Sequence, residues 1–311
     1  MLSRVAERIY WMARFIERAE NTARVIKVNT YLVLDLPRKA RFGWETLVQI
    51  MGSDALFHEL YKEATERNVV RFLIGDERNP DSVLGALGQA RENARTIRDI
   101  IPREAWEQVN ELYLLAKQQL QAGLSQNRRQ DYLDTIVGGA QRITGLLAGT
   151  MTHDYGYDFL RMGRNLERAD MTTRIIDVRS ENLLPDQEGA LLPFDNIQWM
   201  SVLKSLTAYQ MYRRATQGPV RRGAVLDFLF KSRSFPRAFY HAVSEVQNCL
   251  DGLPRNDAPL RSAVHLQRLI RESEPARLDP PGLHRFIDDL QLELYKLHAA
   301  ITDTYFRANL P

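Results

Sequence analysis

Cysteine is nearly missing: Cys249 is the only one in 311 residues. No internal disulfide framework can form, and a reducing compartment is the expectation. The six histidines fall in no Glu-x-x-His or His-Glu-x-x-His pattern, so the usual ligands of a di-iron bundle or a zinc site are lacking. A phosphate-binding glycine-rich loop is also absent. Charge of one sign is scarce, since the net value is only +3, well short of what a dedicated nucleic-acid binder concentrates on one face. The doublets Arg213-Arg214 and Arg221-Arg222 read as a solvated loop. No apolar run approaches the roughly 20 residues that cross a bilayer, and Met1-Leu2-Ser3-Arg4-Val5 lacks a signal-peptide core. These absences predict a cytoplasmic protein with no metal, no cofactor, and neither nucleic acid nor membrane as partner.

Alternating strand patterns are scarce too, and what fills the chain is helical periodicity. Val5, Ile9, Met12, Ile16, Ala19, Ala23 and Ile26 step by four and three, a seam for packing on a neighbouring helix. That helix is predicted from the cap Ser3 to about Asn29, with a break at Asp35-Leu36-Pro37. A second helical region starts near Trp44, pauses at Gly52-Ser53, and resumes over about 55–74. Asn79-Pro80 opens the next helix, with Asn as cap and Pro in the first turn. Pro102 starts another, and Asp131 is placed to cap the one after the polar run 125–130. Gly138, Gly139, Gly145 and Gly149 lie on that last helix; each costs up to about 1 kcal/mol against Ala, so close helix contact is expected at them.

From about Asp154 the pattern begins again. Leu160-Arg161-Met162-Gly163-Arg164-Asn165-Leu166-Glu167-Arg168-Ala169-Asp170 repeats Tyr10-Trp11-Met12-Ala13-Arg14-Phe15-Ile16-Glu17-Arg18-Ala19-Glu20 at an offset of about 150. Trp199 answers Trp44, Phe228-Leu229 answers Phe72-Leu73, and Pro236 answers Pro80. Helices near 257–273 and 281–306 close the second unit, capped by Asp257 and Asp279. The expected fold is all-α: a single body over 1–311, with repeats 1–150 and 151–311 of about six helices each around a pseudo-two-fold.

Opposite the apolar seam runs a second line of Tyr10, Arg14, Glu17, Asn21, Arg24 and Val28, matched by Leu160, Arg164, Glu167, Met171, Arg174 and Val178. A solvent face would be polar throughout. This one has apolar ends, so both helices are expected to be covered on both sides. Arg14, Glu17, Arg18, Arg24, Arg164, Glu167, Arg168 and Arg174 then form a buried ionic lattice whose members must pair. The sharper alternative is a ligand site, with Tyr10, Asn21, Arg91, Arg95 and Arg98 as further candidates. Arginines beside Glu17 and Glu167 keep both ionised, a poor state for proton transfer near neutrality. Guanidinia left unpaired favour a carboxylate or phosphate ligand instead. Cys249 reads as a small buried residue, His153-Asp154 as a helix cap, and Asp288, Asp289 and Glu293 as solvated.

These residues also carry a family resemblance. The run from Tyr10 to Arg24, with Asn79-Pro80-Asp81-Ser82, Ala90-Arg91-Glu92-Asn93-Ala94-Arg95, Arg98, Trp106, Asn110 and the second signature Gly163–Asp170, resembles the bacterial alpha-E proteins, named for their Glu-Arg motif. Ala13, Met171 and Ala238 depart from that pattern. The resemblance implies an α-helical fold and a genomic context rather than a reaction. Alpha-E proteins are typically encoded with, or fused to, circularly permuted ATP-grasp ligases, often beside transglutaminase-like proteases. The chain is therefore expected to be a non-catalytic partner or scaffold for a separate ATP-grasp peptide ligase. The alternative is an enzyme, or a substrate-binding subunit, that uses the stripe on an anionic peptide or nucleotide.

Overall fold

A computed structural model describes residues 3–35, 43–181 and 192–307 of the chain, and among them there is no strand. In chain order the elements begin with α1 (Ser3–Asp35), α2 (Glu45–Met51), α3 (Asp54–Leu60), α4 (Glu66–Gly75), α5 (Val83–Thr96), α6 (Arg103–Gln118), α7 (Leu120–Leu124) and α8 (Arg129–Thr150). There follow α9 (Tyr155–Glu181), α10 (Leu192–Ser205), α11 (Tyr209–Thr216), α12 (Arg222–Lys231), α13 (Phe239–Asp251), α14 (Asp257–Glu272) and α15 (Pro280–Ile301). The chain leaves α15 through a π-turn, Thr302–Phe306.

The long helices α1 and α9 lie against each other in the centre. The other sides of α1 are covered by α5, α8 and α10, and those of α9 by α13, α15 and α2. Both lines read on α1 are accordingly buried, the apolar seam from Ile9 to Ile26 and the polar line from Tyr10 to Arg24. Close approach is set at Gly163, where a Cβ would stand 2.3 Å from the Tyr10 carbonyl oxygen. The π-turn closes one end of the pair: Phe306 meets Tyr10 with ring centroids 5.2 Å apart, and Tyr305 meets Phe159 at 5.3 Å.

Several local expectations are corrected. The first helix passes Asn29 and continues to Asp35 because the apolar Tyr31-Leu32 turn extends it and Leu32 is buried; Leu36 and Pro37 lie outside the described residues. Residues 55–74 are two helices, not one. The chain breaks at Tyr61, which stacks on Phe57 and meets Phe72 edge-on, and Thr65 starts the next helix by accepting from the Asn68 amide. Asp131 and Asp257 sit inside α8 and α14 and cap neither, whereas Asp279 and Asp154 do cap, accepting from Gly282 and Gly156. Of the four glycines on α8, only Gly139 makes a close contact, to Leu112; Gly138, Gly145 and Gly149 face open space. Arg213-Arg214 end α11 rather than forming a loop, and Arg222 donates to the Leu278 carbonyl at 2.7 Å.

Candidate functional site

The two Glu-Arg turns meet crosswise where α1 and α9 touch. Arg18 Nε donates to Glu167 Oε1 at 2.6 Å, and Arg168 Nε donates to Glu17 Oε2 at 3.1 Å. Glu17 is 2% exposed and Glu167 1%, so each carboxylate is held by the arginine that follows its counterpart. Around this shared core the two clusters differ. Glu167 also accepts from Arg14 Nε at 2.7 Å, and Arg18 is further paired with Asp81. Glu17 instead accepts from Arg237 Nη1 at 2.5 Å. Arg237 also reaches Asn21 at 2.7 Å and Glu20 at 3.0 Å, and Glu20 pairs in turn with Arg24 and Gln141. The Arg237 carbonyl accepts from the Thr172 hydroxyl on α9 at 2.9 Å, which fixes the loop that delivers it.

Burial by itself would raise both glutamate pKa values, but the arginines outweigh it. Arg18 and Arg14 bring Glu167 down to about 2, and Arg168, Arg237, Arg24 and Arg164 bring Glu17 down to about 2. Both stay ionised across the physiological range, which leaves neither as a general acid. Burial and the like charge of Arg237 lower Arg24 from its ordinary value; burial, Arg237 and Arg164 do the same to Arg168. Three buried donors of this cluster, Asn21 Nδ2, Arg24 Nη1 and Arg164 Nε, have no hydrogen-bond partner among the described residues.

The candidates distribute as follows. Arg14, Glu17, Arg18, Asn21, Glu167 and Arg168 meet in the lattice. Arg24 belongs to it through Glu20, its neighbour one turn earlier, rather than across the helix pair. Arg164, expected to pair, acts on Glu17 through its charge alone. Arg174 pairs with Asp170 on its own helix at 3.0 Å and opens to a cleft. Tyr10 is sealed beneath Arg14 and its hydroxyl meets His298 Nδ1 at 2.8 Å. Arg91, Arg95 and Arg98 do not join. Arg91 binds Asn110 and lies over Tyr113 and Arg95 pairs with Glu92, because both point away from the face of α5 that packs on α1, and Arg98 is exposed in the turn beyond the end of that helix.

Sequence reasoning missed Arg237. Its signal was present, since Pro236 answers Pro80 and places Arg237 where the first unit has Asp81; only the charge reversal concealed it. Also unforeseen is a cleft of about 580 Å³ between α9 and α15, lined by Arg14, Asp170, Arg174, Asp288, Gln291, Leu292, Tyr295 and His298 among others. Burial, followed by the charge of Arg14, lowers the His298 pKa to about 4, so its imidazole is neutral. Asp177, His284 and Asp288, where no metal group was expected, have ligand atoms within 4.8 Å of one another. Asp177 faces Nδ1 at 2.8 Å and Asp288 faces Nε2 at 3.6 Å. Carboxylates facing opposite ring nitrogens do not converge on one point as the ligands of a metal do. No described helix is long and apolar enough to cross a membrane. Cys249 is buried, which pushes its thiol up to about 12.

Residues 1–306 match the model of the Alpha-E family, described as a predicted alpha-helical domain with a conserved ER motif. An uncharacterised protein of Mycobacterium bovis is 21% identical over 325 residues, covering 96% of this chain and 36% of its own length. Two uncharacterised proteins of Mycobacterium tuberculosis strains align over the same shares, at 21% and 20% identity. The chain thus spans little more than a third of these relatives. No solved structure matches it. With a family match across nearly its whole length, the chain belongs to the Alpha-E family.

Proposed function

We propose that this Alpha-E chain is a non-catalytic helical partner, or scaffold, for a separate ATP-grasp peptide ligase in a cytoplasmic peptide synthesis or modification system, with a transglutaminase-like protease as a possible second partner. The observation that carries the reading is the sealing of Glu17 and Glu167 between arginines, which removes the acid-base chemistry their motif suggests. What remains is architecture and binding. The choice of ligase comes from the family resemblance. It is in keeping with relatives in which this region is 36% of a longer polypeptide. We read the halves 1–150 and 151–311 as repeats about a pseudo-two-fold, supported by the reciprocal pairs Arg18–Glu167 and Arg168–Glu17. The test is co-expression with the ligase encoded beside the gene, followed by affinity purification and size-exclusion chromatography. A stoichiometric complex is expected; elution of the two as separate species overturns the reading.

The second reading, a substrate-binding subunit, is favoured by the cleft alone. Leu292 and Tyr295 are 59% and 70% exposed on its rim. Apolar side chains this open, one turn apart on α15 and beside two arginines, suit a ligand more than they suit water.

A further inference from the structure

We infer that the cleft between α9 and α15 binds a singly charged carboxylate that carries an apolar or aromatic group, the chemistry of a peptide C-terminus. This rests on the binding-subunit reading and specifies its ligand.

The argument starts from donors already held in place. Arg14 is 8% exposed. Its Nε is committed to Glu167, and its guanidinium lies 5.0 Å from the Trp11 ring centroid. Among the described residues its terminal Nη groups make no well-aligned hydrogen bond, although the guanidinium lies against Tyr10, and Arg14 lines the cleft. Arg174 repeats the arrangement: Nε is held by both Asp170 oxygens at 3.0 Å, and its Nη groups make no hydrogen bond among the described residues. Gly52, at φ 64°, gives Arg174 its place, since a Cβ there would lie 2.4 Å from Nη1. The donors are thus oriented before any ligand arrives, which lowers the ordering cost of binding.

His298 adds a third donor. With the buried Tyr10 hydroxyl as the donor in its contact to Nδ1, the neutral ring carries its proton on Nε2. Nε2 has no partner among the described residues, and His298 lines the same cleft. Two guanidinia and an imidazole N–H make a suitable cradle for a carboxylate.

Charge decides against a dianion. Asp170 and Asp288 share the lining with Arg14 and Arg174, so a phosphate dianion meets more carboxylate repulsion there than a singly charged carboxylate does. The rim sets the rest of the ligand. Leu292 and Tyr295 offer an apolar shelf, and about 580 Å³ lies within the range of small-ligand pockets.

The test titrates the purified chain with N-acetyl-leucyl-phenylalanine and with its C-terminal amide, by calorimetry. Saturable binding of the acid, with the amide weaker by about tenfold or more, is expected from loss of the charge-assisted hydrogen bonds. Arg174→Gln should weaken the acid by a similar factor and leave the amide unchanged. Tyr295→Ala, at an exposed position that cannot disturb folding, should weaken acid and amide alike. Circular dichroism checks that both variants are folded. Equal binding of acid and amide, or no saturable binding of either, overturns the proposal. Displacement by inorganic phosphate as effective as by the acid itself overturns the carboxylate assignment. No ligase is present in the titration, so its outcome and that of the co-purification are read separately.

Discussion

The Glu167 cluster and the Glu17 cluster contain the same motif in different electrostatic states, one balanced and one with an excess of cations. Around Glu167 stand Arg14 and Arg18, and Asp81 supplies a second negative charge, so cations and anions balance. Around Glu17 and Glu20 stand Arg24, Arg168 and Arg237, with Arg164 close enough to act on Glu17, so cations outnumber carboxylates. The difference traces to one loop position, occupied by Asp81 in the first half and Arg237 in the second. Two similar Glu-Arg turns can therefore share a helix pair while one loop residue changes what each polar centre needs. In the first cluster the carboxylates and guanidinium Nε groups are paired, and the free Nη groups of Arg14 turn to the cleft. Among the described residues the second leaves fully buried donors without partners, the costlier condition in a low-dielectric interior.

The sharpest way to break this comparison is to neutralise each glutamate. Glu17→Gln leaves the arginines facing one another and should lower the unfolding free energy by about 3–5 kcal/mol. Glu167→Gln should cost less, about 2–3 kcal/mol, because Arg18 retains Asp81 and Arg14 borders the cleft. Urea denaturation of both variants checks this; equal losses remove the asymmetry, and losses under about 0.5 kcal/mol remove the buried lattice itself. Next comes the position that makes the difference. Arg237→Leu strips Glu17 and Glu20 of a shared partner, with an expected loss of about 2–4 kcal/mol, whereas Asp81→Ala, at a site open to solvent, should stay within about 1 kcal/mol. Thermal melts of the two read out the contrast.

A smaller effect concerns the helix contact beneath both clusters. Gly163→Ala forces a Cβ onto the Tyr10 carbonyl and should cost about 1–3 kcal/mol, while Gly138→Ala, in open space, should stabilise by up to about 1 kcal/mol. Comparative denaturation of the pair decides it. Acid titration sharpens the last point. Glu17 and Glu167 have folded pKa values lowered to about 2. Their stabilisation is full above the ordinary carboxylate value of 4.5 and is lost as pH falls from there toward 2. His298, lowered to about 4 from 6.5, adds a milder loss between those values as the unfolded chain takes up its proton first. Melting temperature followed from pH 7 to pH 2 should therefore fall in two stages, and a flat profile below pH 4.5 contradicts the buried lattice.

Much of the helical content was legible because helix faces repeat every three or four residues and α1 shows that period on two sides. Boundaries were less so. The break at Tyr61 depends on Phe57 and Tyr61 reaching Phe72, and the helix cap moved to Thr65 for that reason. Glycines on α8 misled because one neighbour, Leu112, decides whether the missing Cβ matters, and it stands beside Gly139 only. Within the site, Glu17, Glu167 and the arginines adjoining them could be named from their register. Their partners could not: Arg91, Arg95 and Arg98 share the spacing but lie off the face that packs on α1.

By itself the sequence determined an all-helical chain, the two Glu-Arg turns, their burial on two-sided helices and the absence of the familiar metal, nucleotide and membrane signatures. Those properties are written in local spacing and composition, which a linear text preserves. Only the tertiary structure decided which arginine answers which glutamate, that Arg237 enters from a distant loop, and that Arg14, Arg174 and His298 line one cleft. Pairing across 150 to 220 residues is settled by which faces of the helices meet. Electrostatic attraction names no partner until packing brings charges within a few ångströms and excludes the water between them.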